Sequence, residues 1–154
     1  MNKLTAIGLA GAMLCAAQPA AADNWRMSGY GGDAPQRAVY VVDTDSVVRD
    51  GDTVRFRTST VWESYTDGRD FNKSVTQRQG SCSAKSSKIV VNSLYADGTL
   101  IDVDDAAGEV ISHGPESIMR SVLEAVCGEA DYETETIDDY EAALRTWLAE
   151  NPTG

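Results

Sequence analysis

The sequence predicts an α+β domain: an antiparallel sheet of about six strands, one helix packed on a face and disulfide-tethered to it, and an extra C-terminal helix. Three observations carry this. Short β-branched or alternating runs from Trp25 to Val103 are separated by turn-forming residues, two amphipathic stretches follow, and Cys82 and Cys127 stand one in each part.

The chain of 154 residues opens with Met1-Asn2-Lys3, an apolar run from Leu4 to Ala17, then Gln18-Pro19-Ala20-Ala21-Ala22 ahead of Asp23. A basic start, a short apolar stretch and a small-residue cleavage site are what a secretory signal peptide needs, and the expected cut follows Ala22. That run is shorter than the roughly 20 apolar residues a membrane-spanning helix requires, so no transmembrane segment is expected. Leu14 precedes Cys15, where lipoprotein processing needs a small residue; Cys15 is expected to leave with the leader. About 132 residues then remain, enough for one domain with a core. Two of the three cysteines survive, and in an oxidising compartment the pair Cys82 and Cys127 is expected to be bridged.

Each element has its own signal. Trp25 to Tyr30 reads as a short strand, stopped by Gly29, Gly31, Gly32 and Pro35. The β-branched run Ala38 to Asp43 suits a strand covered on both faces. Thr44-Asp45-Ser46 is expected to fold back through side-chain bonds to the backbone, and Arg49-Asp50-Gly51-Asp52 to make a hairpin turn. Thr53 to Glu63 alternates, with Val54, Phe56, Thr58, Thr60 and Trp62 facing inward and Arg55, Arg57, Ser59, Val61 and Glu63 outward. Residues 66–70 form a polar turn. Lys73 to Ser83 is extended but polar, which predicts an edge or strongly solvated strand bearing Cys82. Lys88 to Tyr95 and Thr99 to Val103 flank an Asp97-Gly98 turn.

Gly114-Pro115-Glu116 predicts the first helix start and Gly128 its stop, with Ile118, Val122 and Val126 beside Met119, Leu123 and Cys127 forming one apolar stripe. The bridge would then staple this helix end to the strand bearing Cys82. An acidic linker, Glu129 to Glu135, leads to a second helix from Thr136 to about Glu150, capped by Thr136 and docking through Ile137, Tyr140, Leu144, Trp147 and Leu148. The organisation expected is a leader over 1–22, a domain over 23–128, and a linker with the acidic amphipathic helix over 129–154.

Charge is uneven. The formal net charge is −11, yet acids and bases nearly cancel from Asp23 to Tyr95, while from Ala96 onward only Arg120 and Arg145 oppose about fifteen carboxylates. Nucleic acid and anionic lipid should be repelled by the C-terminal half. One expectation is solubility with internal complementarity between the halves; the alternative is an exposed basic face for an acidic partner, with Arg55, Arg57, Arg78 and Tyr65, residue types that recur at binding hot spots, as its candidate residues.

No catalytic frame is legible. His113, the one histidine, reads as a loop residue, and no Gly-x-Ser-x-Gly elbow or Gly-rich phosphate loop accompanies it. The acids Asp97, Asp102, Asp104 and Asp105, like Asp43, Asp45, Asp50 and Asp52, lack the spacing of a calcium loop, and two isolated cysteines lack that of a zinc site. Neither a catalytic residue, nor a metal site, nor a cofactor is therefore expected.

The order of these features resembles the surface-adhesin protein E family of Gram-negative bacteria. The pieces are Trp25 just after the leader, Val39-Tyr40-Val41-Val42-Asp43 followed by Asp45-Ser46-Val47 and Arg49-Asp50-Gly51-Asp52-Thr53-Val54, Cys82 in a polar strand, and Ser121-Val122-Leu123-Glu124-Ala125-Val126-Cys127. The resemblance spans about Asp23 to Gly128 and implies a curved sheet. Its namesake is a surface lipoprotein that binds host matrix proteins and haem; here the lipobox is poor, His113 is the single histidine, and the acidic helix is an addition. The resulting expectation is a non-catalytic binding module of the periplasm or outer cell surface, whose partner is a protein or small ligand of the envelope or host. The alternative is a self-associating structural or stress-related periplasmic protein, a homodimer through the terminal helix or polar strand.

Overall fold

The computed structural model describes residues 24–65 and 69–152. The expected leader and the centre of the 66–70 turn lie outside the described residues. In chain order the strands are β1 (Trp25–Gly31), β2 (Ala38–Asp50), β3 (Thr53–Trp62), β4 (Lys73–Ser81), β5 (Ser86–Ala96), β6 (Thr99–Asp104) and the two-residue β7 (Ile111–Ser112). The helices are α1 (Ile118–Cys127) and α2 (Tyr140–Glu150). The strands make one open antiparallel sheet in the order β1-β2-β3-β4-β5-β6, with β7 pairing the start of β5 where β6 does not reach.

The sheet is curved. Register shifts between Met27 and Gly29, Asp43 and Val48, Gln77 and Arg78, and Leu94 and Tyr95 leave extra residues in one strand of a pair. Each such bulge bends its strand and adds right-handed twist. At the shift after Asp43, Ser46 Oγ donates to Asp43 O at 2.6 Å and accepts from the Arg57 N–H at 2.7 Å. Thr44-Asp45-Ser46 therefore uses side-chain bonds as expected, but within one long strand rather than after a short one.

Two other expectations need correction. The polar segment predicted for an edge is β4, which lies in the middle of the sheet between β3 and β5. Its polar character is tolerated there because polar groups meet between the strands: Thr76 Oγ1 donates to Asn92 Oδ1 of β5 at 2.9 Å, and the Ser74 carbonyl accepts from Ser59 Oγ of β3 at 3.0 Å. On β3 the outward face is dry at one end, since Ser59 and Val61 are both 0% exposed.

Each face has its own helix. Val42, Val54 and Phe56 pack with Val122, Leu123 and Val126 of α1, while Trp25, Met27, Val39, Val41 and Val61 pack with Leu144 and Leu148 of α2. The alternation along β2 divides the two sets, because neighbouring side chains of a strand point to opposite faces. α1 starts after the Gly114-Pro115 signal, at the N-cap Ser117, whose Oγ accepts from the Arg120 N–H at 3.2 Å. It stops at Gly128, whose φ of 77° is the left-handed conformation that glycine adopts without steric cost. Cys127 is bridged to Cys82, which directly follows β4. Gly80 makes the close approach of α1 possible, since a Cβ there would lie 2.7 Å from Leu123 Cδ2.

The acidic linker runs along the free edge of β1. The Glu133 N–H donates to Met27 O at 2.9 Å and the Ile137 N–H to Trp25 O at 2.8 Å, so the linker covers that edge. Thr136 is not the cap: its hydroxyl donates to Asn24 Oδ1, and Asp139 caps α2 by accepting from the Ala142 N–H. α2 docks on the sheet as expected. Buried Arg37 donates to Leu148 O at 2.6 Å and to both Glu63 carboxylate oxygens, and Tyr140 Oη donates to Ser59 Oγ at 3.1 Å.

Candidate functional site

Strand pairing decides which of the predicted site residues share a surface. Arg57 pairs with Asp43, donates to its carboxylate at 2.7 Å, and lies over the ring of Trp25 at 5.2 Å. It therefore belongs to the α2 face. Arg55 is two residues away and so on the same face. Arg55 pairs with Gln79, which pairs with Lys88, while Arg57 pairs with Gln77. Directly opposed residues project to the same side, so Arg55, Gln79 and Lys88 form a row across β3, β4 and β5, with Arg57 and Gln77 in the next row.

This basic surface occupies the end of the α2 face that α2 leaves uncovered. Val61, under α2, lies six residues from Arg55, a span of about 20 Å along an extended strand. A cleft of about 270 Å³ opens there, lined by Ser46, Arg55, Arg57, Gln77 and Val90 together with Phe56 and Arg78, which alternation assigns to the other face. Arg55 and Lys88 make no ion pair or side-chain hydrogen bond among the described residues. Other cations are engaged: Lys73 pairs with Glu141 and Lys85 with Glu129, each joining the balanced half to the acidic half.

The other two predicted residues lie elsewhere. Tyr65 is an exposed residue beyond the far end of β3, where partial desolvation and a hydrogen bond with Asp97 raise its phenol above the ordinary tyrosine value. Arg78 pairs with Phe56 and Ile89, which places it on the α1 face. It is half-buried, its Nε is buried without a hydrogen-bond partner, and it makes no ion pair among the described residues. Burial lowers its guanidinium pKa, and burial raises that of Tyr40 nearby, an effect the Arg78 charge partly offsets.

Sequence reasoning missed one pairing on this face. His113 Nε2 lies 2.9 Å from Ser87 Oγ, and the His113 N–H donates to Lys85 O. Burial first, and the Arg78 charge second, hold the imidazole below the ordinary histidine pKa, so it is neutral at neutral pH. A serine and a histidine at this distance are two parts of a nucleophilic arrangement, but no carboxylate among the described residues orients the ring. The two residues are 26 apart in the chain, with the rest of β5, β6 and β7 between them, and no local motif announces the contact.

The acids considered as metal ligands are dispersed. Asp43 pairs with Arg57, Asp52 accepts from Ser81 and Ser83, and Asp97 accepts from Asn72. Among the described residues no group of three or more potential ligands converges, and no helix is long and apolar enough to cross a membrane.

A bulged antiparallel sheet bridged to a helix that ends in cysteine defines a class of small disulfide-closed sheet domains. The chain matches the family described as surface-adhesin protein E over residues 25–128, more than half of its 154 residues, and belongs to that family. Among curated proteins no sequence match is found.

Proposed function

We propose that the chain is an exported, non-catalytic binding module of the bacterial envelope, which meets an acidic partner through the uncovered end of the α2 face. The observation that carries this is the row Arg55, Gln79 and Lys88 beside Arg57. In a chain of net charge −11, two of these cations have no carboxylate partner among the described residues. Unpaired surface cations on rigid neighbouring strands favour encounter with an acidic surface and set its orientation. Family membership supports the envelope assignment, and the bridge suits an oxidising compartment.

The test has two parts. Cells producing the tagged full chain are fractionated, and the mature N-terminus is identified by mass; the expected result is an envelope product beginning after Ala22. Separated envelope proteins are then probed with the purified chain and with an Arg55→Glu/Lys88→Glu variant. A band bound by the parent, weakened by salt and lost with charge reversal supports the reading. A cytosolic product retaining Met1, or binding indifferent to the reversal, contradicts it.

A second reading, a self-associating periplasmic protein, draws on one observation. Leu100, Ile101, Val103, Val110 and Ile111 are all exposed, at or beside the free edge formed by β6 and β7, and such an edge is a template for pairing with another strand. Sedimentation across a concentration series separates the two, because this reading requires a dimer and strictly monomeric behaviour removes it.

A further inference from the structure

Among the described residues Arg26, Arg37, Arg69 and Arg78 each bury an unpartnered guanidinium nitrogen, and of these Arg78 is the one with no ion pair, side-chain hydrogen bond or aromatic ring against it. A guanidinium removed from water is normally compensated by a carboxylate or by hydrogen bonds to every donor it buries. Here the Nε is buried and unpartnered, and no acid among the described residues pairs with it. Its α1-face surroundings offer donors and hydroxyls. Thr58 and Thr76, nearly fully buried, form a cross-strand pair, and Arg78 stands two residues past Thr76 on β4. Tyr40 stands two residues before Val42, the β2 partner of Thr58, so Tyr40 and Arg78 flank the threonine row diagonally. On the other side, Ser87 pairs with Gly80, two residues from Arg78, and bonds His113.

We propose that Arg78 anchors an oxyanion-binding site on the α1 face, taking a phosphate or sulfate group among its guanidinium, the Tyr40 hydroxyl and the His113 ring. Free in solution or carried on a headgroup or sugar, the group has one shared chemistry, that of the oxyanion. Guanidinium donors in a fixed fork match such oxygens, and charge-assisted bonds of this kind are the strong ones. The half-buried position leaves the side chain reachable from solvent. Strand alternation directs Arg78 to the face opposite Arg55 and Lys88, although Arg55, Arg57 and Arg78 all line the 270 Å³ cleft; charge reversal at Lys88, which does not line that cleft, separates the acidic-partner reading from this one.

The test uses the full mature chain and follows the Arg78 Nε–H resonance by NMR during titration with sodium sulfate, with sodium chloride at matched ionic strength as the control. A saturable shift in sulfate alone is expected. Arg78→Met should weaken sulfate binding roughly tenfold or more, as removal of a charge-assisted bond does, and Arg78→Lys should retain part of it. Arg145→Met, on α2 and away from the cleft that Arg78 lines, should bind like the parent. Sulfate keeps its charge between pH 5 and 8, so tightening as pH falls reports His113 protonation, and His113→Asn should abolish that dependence. Titrations with inorganic phosphate and glycerol 1-phosphate distinguish a free anion from a headgroup, according to which binds more tightly.

Stability supplies a second readout. In chloride buffer Arg78→Met should unfold at no lower urea concentration than the parent, because no protein partner is lost; in sulfate only the parent should gain. An Nε–H resonance indifferent to sulfate, a sulfate response that survives Arg78→Met, or equal destabilisation by Arg78→Met in both buffers would overturn the proposal.

Discussion

The two helices lie on opposite faces of one sheet and are held there by different means. α1 presents a continuous apolar stripe, is capped at both ends, and is covalently joined to the turn after β4. α2 buries only Leu144 and Leu148 fully and relies on polar anchors and ring contacts: Lys73 with Glu141, Arg37 with Leu148 O, and Trp25 with Tyr140 at 4.8 Å between centroids. α1 falls within the family match and α2 beyond it. The difference teaches that the side of the core within the family match is closed by a bond, whereas the second face is closed by a docked segment whose every contact is reversible.

The largest expected effect breaks the covalent side. Replacing Cys82 and Cys127 by serine removes a cross-link over a separation of 45 residues and should cost about 4 kcal/mol on the loop-entropy account. Urea unfolding measures it, and a loss under 1 kcal/mol would show that packing alone holds α1. On the other face Leu144→Ala leaves a cavity among Trp25, Met27 and Leu148 and should cost about 3 kcal/mol. The Trp25 environment should report that loss, and the α1 face should keep its native signals.

Smaller changes sharpen the contrast. Ser117→Ala removes the α1 cap and should cost about 1 kcal/mol. The smallest effect is a pH dependence. His113 has a folded pKa below its ordinary 6.5, so the unfolded chain takes up the proton first and stability should fall as pH drops below about 6.5. His113→Asn should flatten that step. Asp52, held low by hydrogen bonds from Ser81 and Ser83, and Glu63, held low by Arg37, contribute stability above their ordinary values of 3.8 and 4.5. That contribution is lost in a separate step at lower pH, which His113→Asn should leave in place.

Much of this architecture was legible because local chemistry dictated it. The Asp50-Gly51-Asp52 and Asp97-Gly98 turns joined the strands they were expected to join, and the four-residue spacing of Ile118, Val122 and Val126 named the buried side of α1. What failed was non-local. β4 looks solvated because its residues are polar, and only its neighbours, such as Asn92 and Ser59, reveal that those groups are satisfied inside the sheet. β7 is too short to leave a periodic signal and exists through its pairing with β5.

The candidate site divides in the same way. Alternation within β3 places Arg55 and Arg57 together, whereas the side taken by Arg78 depends on the β3–β4 register, which no single strand encodes. Lys88 shows in the sequence only as a strand residue, and it joins the basic row through its pairing with Gln79. Tyr65 shares only its residue type with the arginines as a hot-spot former, and the length of β3 separates it from Arg55 and Arg57.

The central claim is that the α1 side is the cross-linked, most stable part of the molecule and the α2 side a reversible cover. Native-state hydrogen exchange of the intact, oxidised chain tests it most directly. Amides of α1 and of the central strands β2 to β4 should exchange only with global unfolding, while α2 amides should exchange through a cheaper local opening that is insensitive to low urea. If α2 amides require the same opening free energy as those of α1, the two faces form one cooperative unit and the distinction drawn here is wrong.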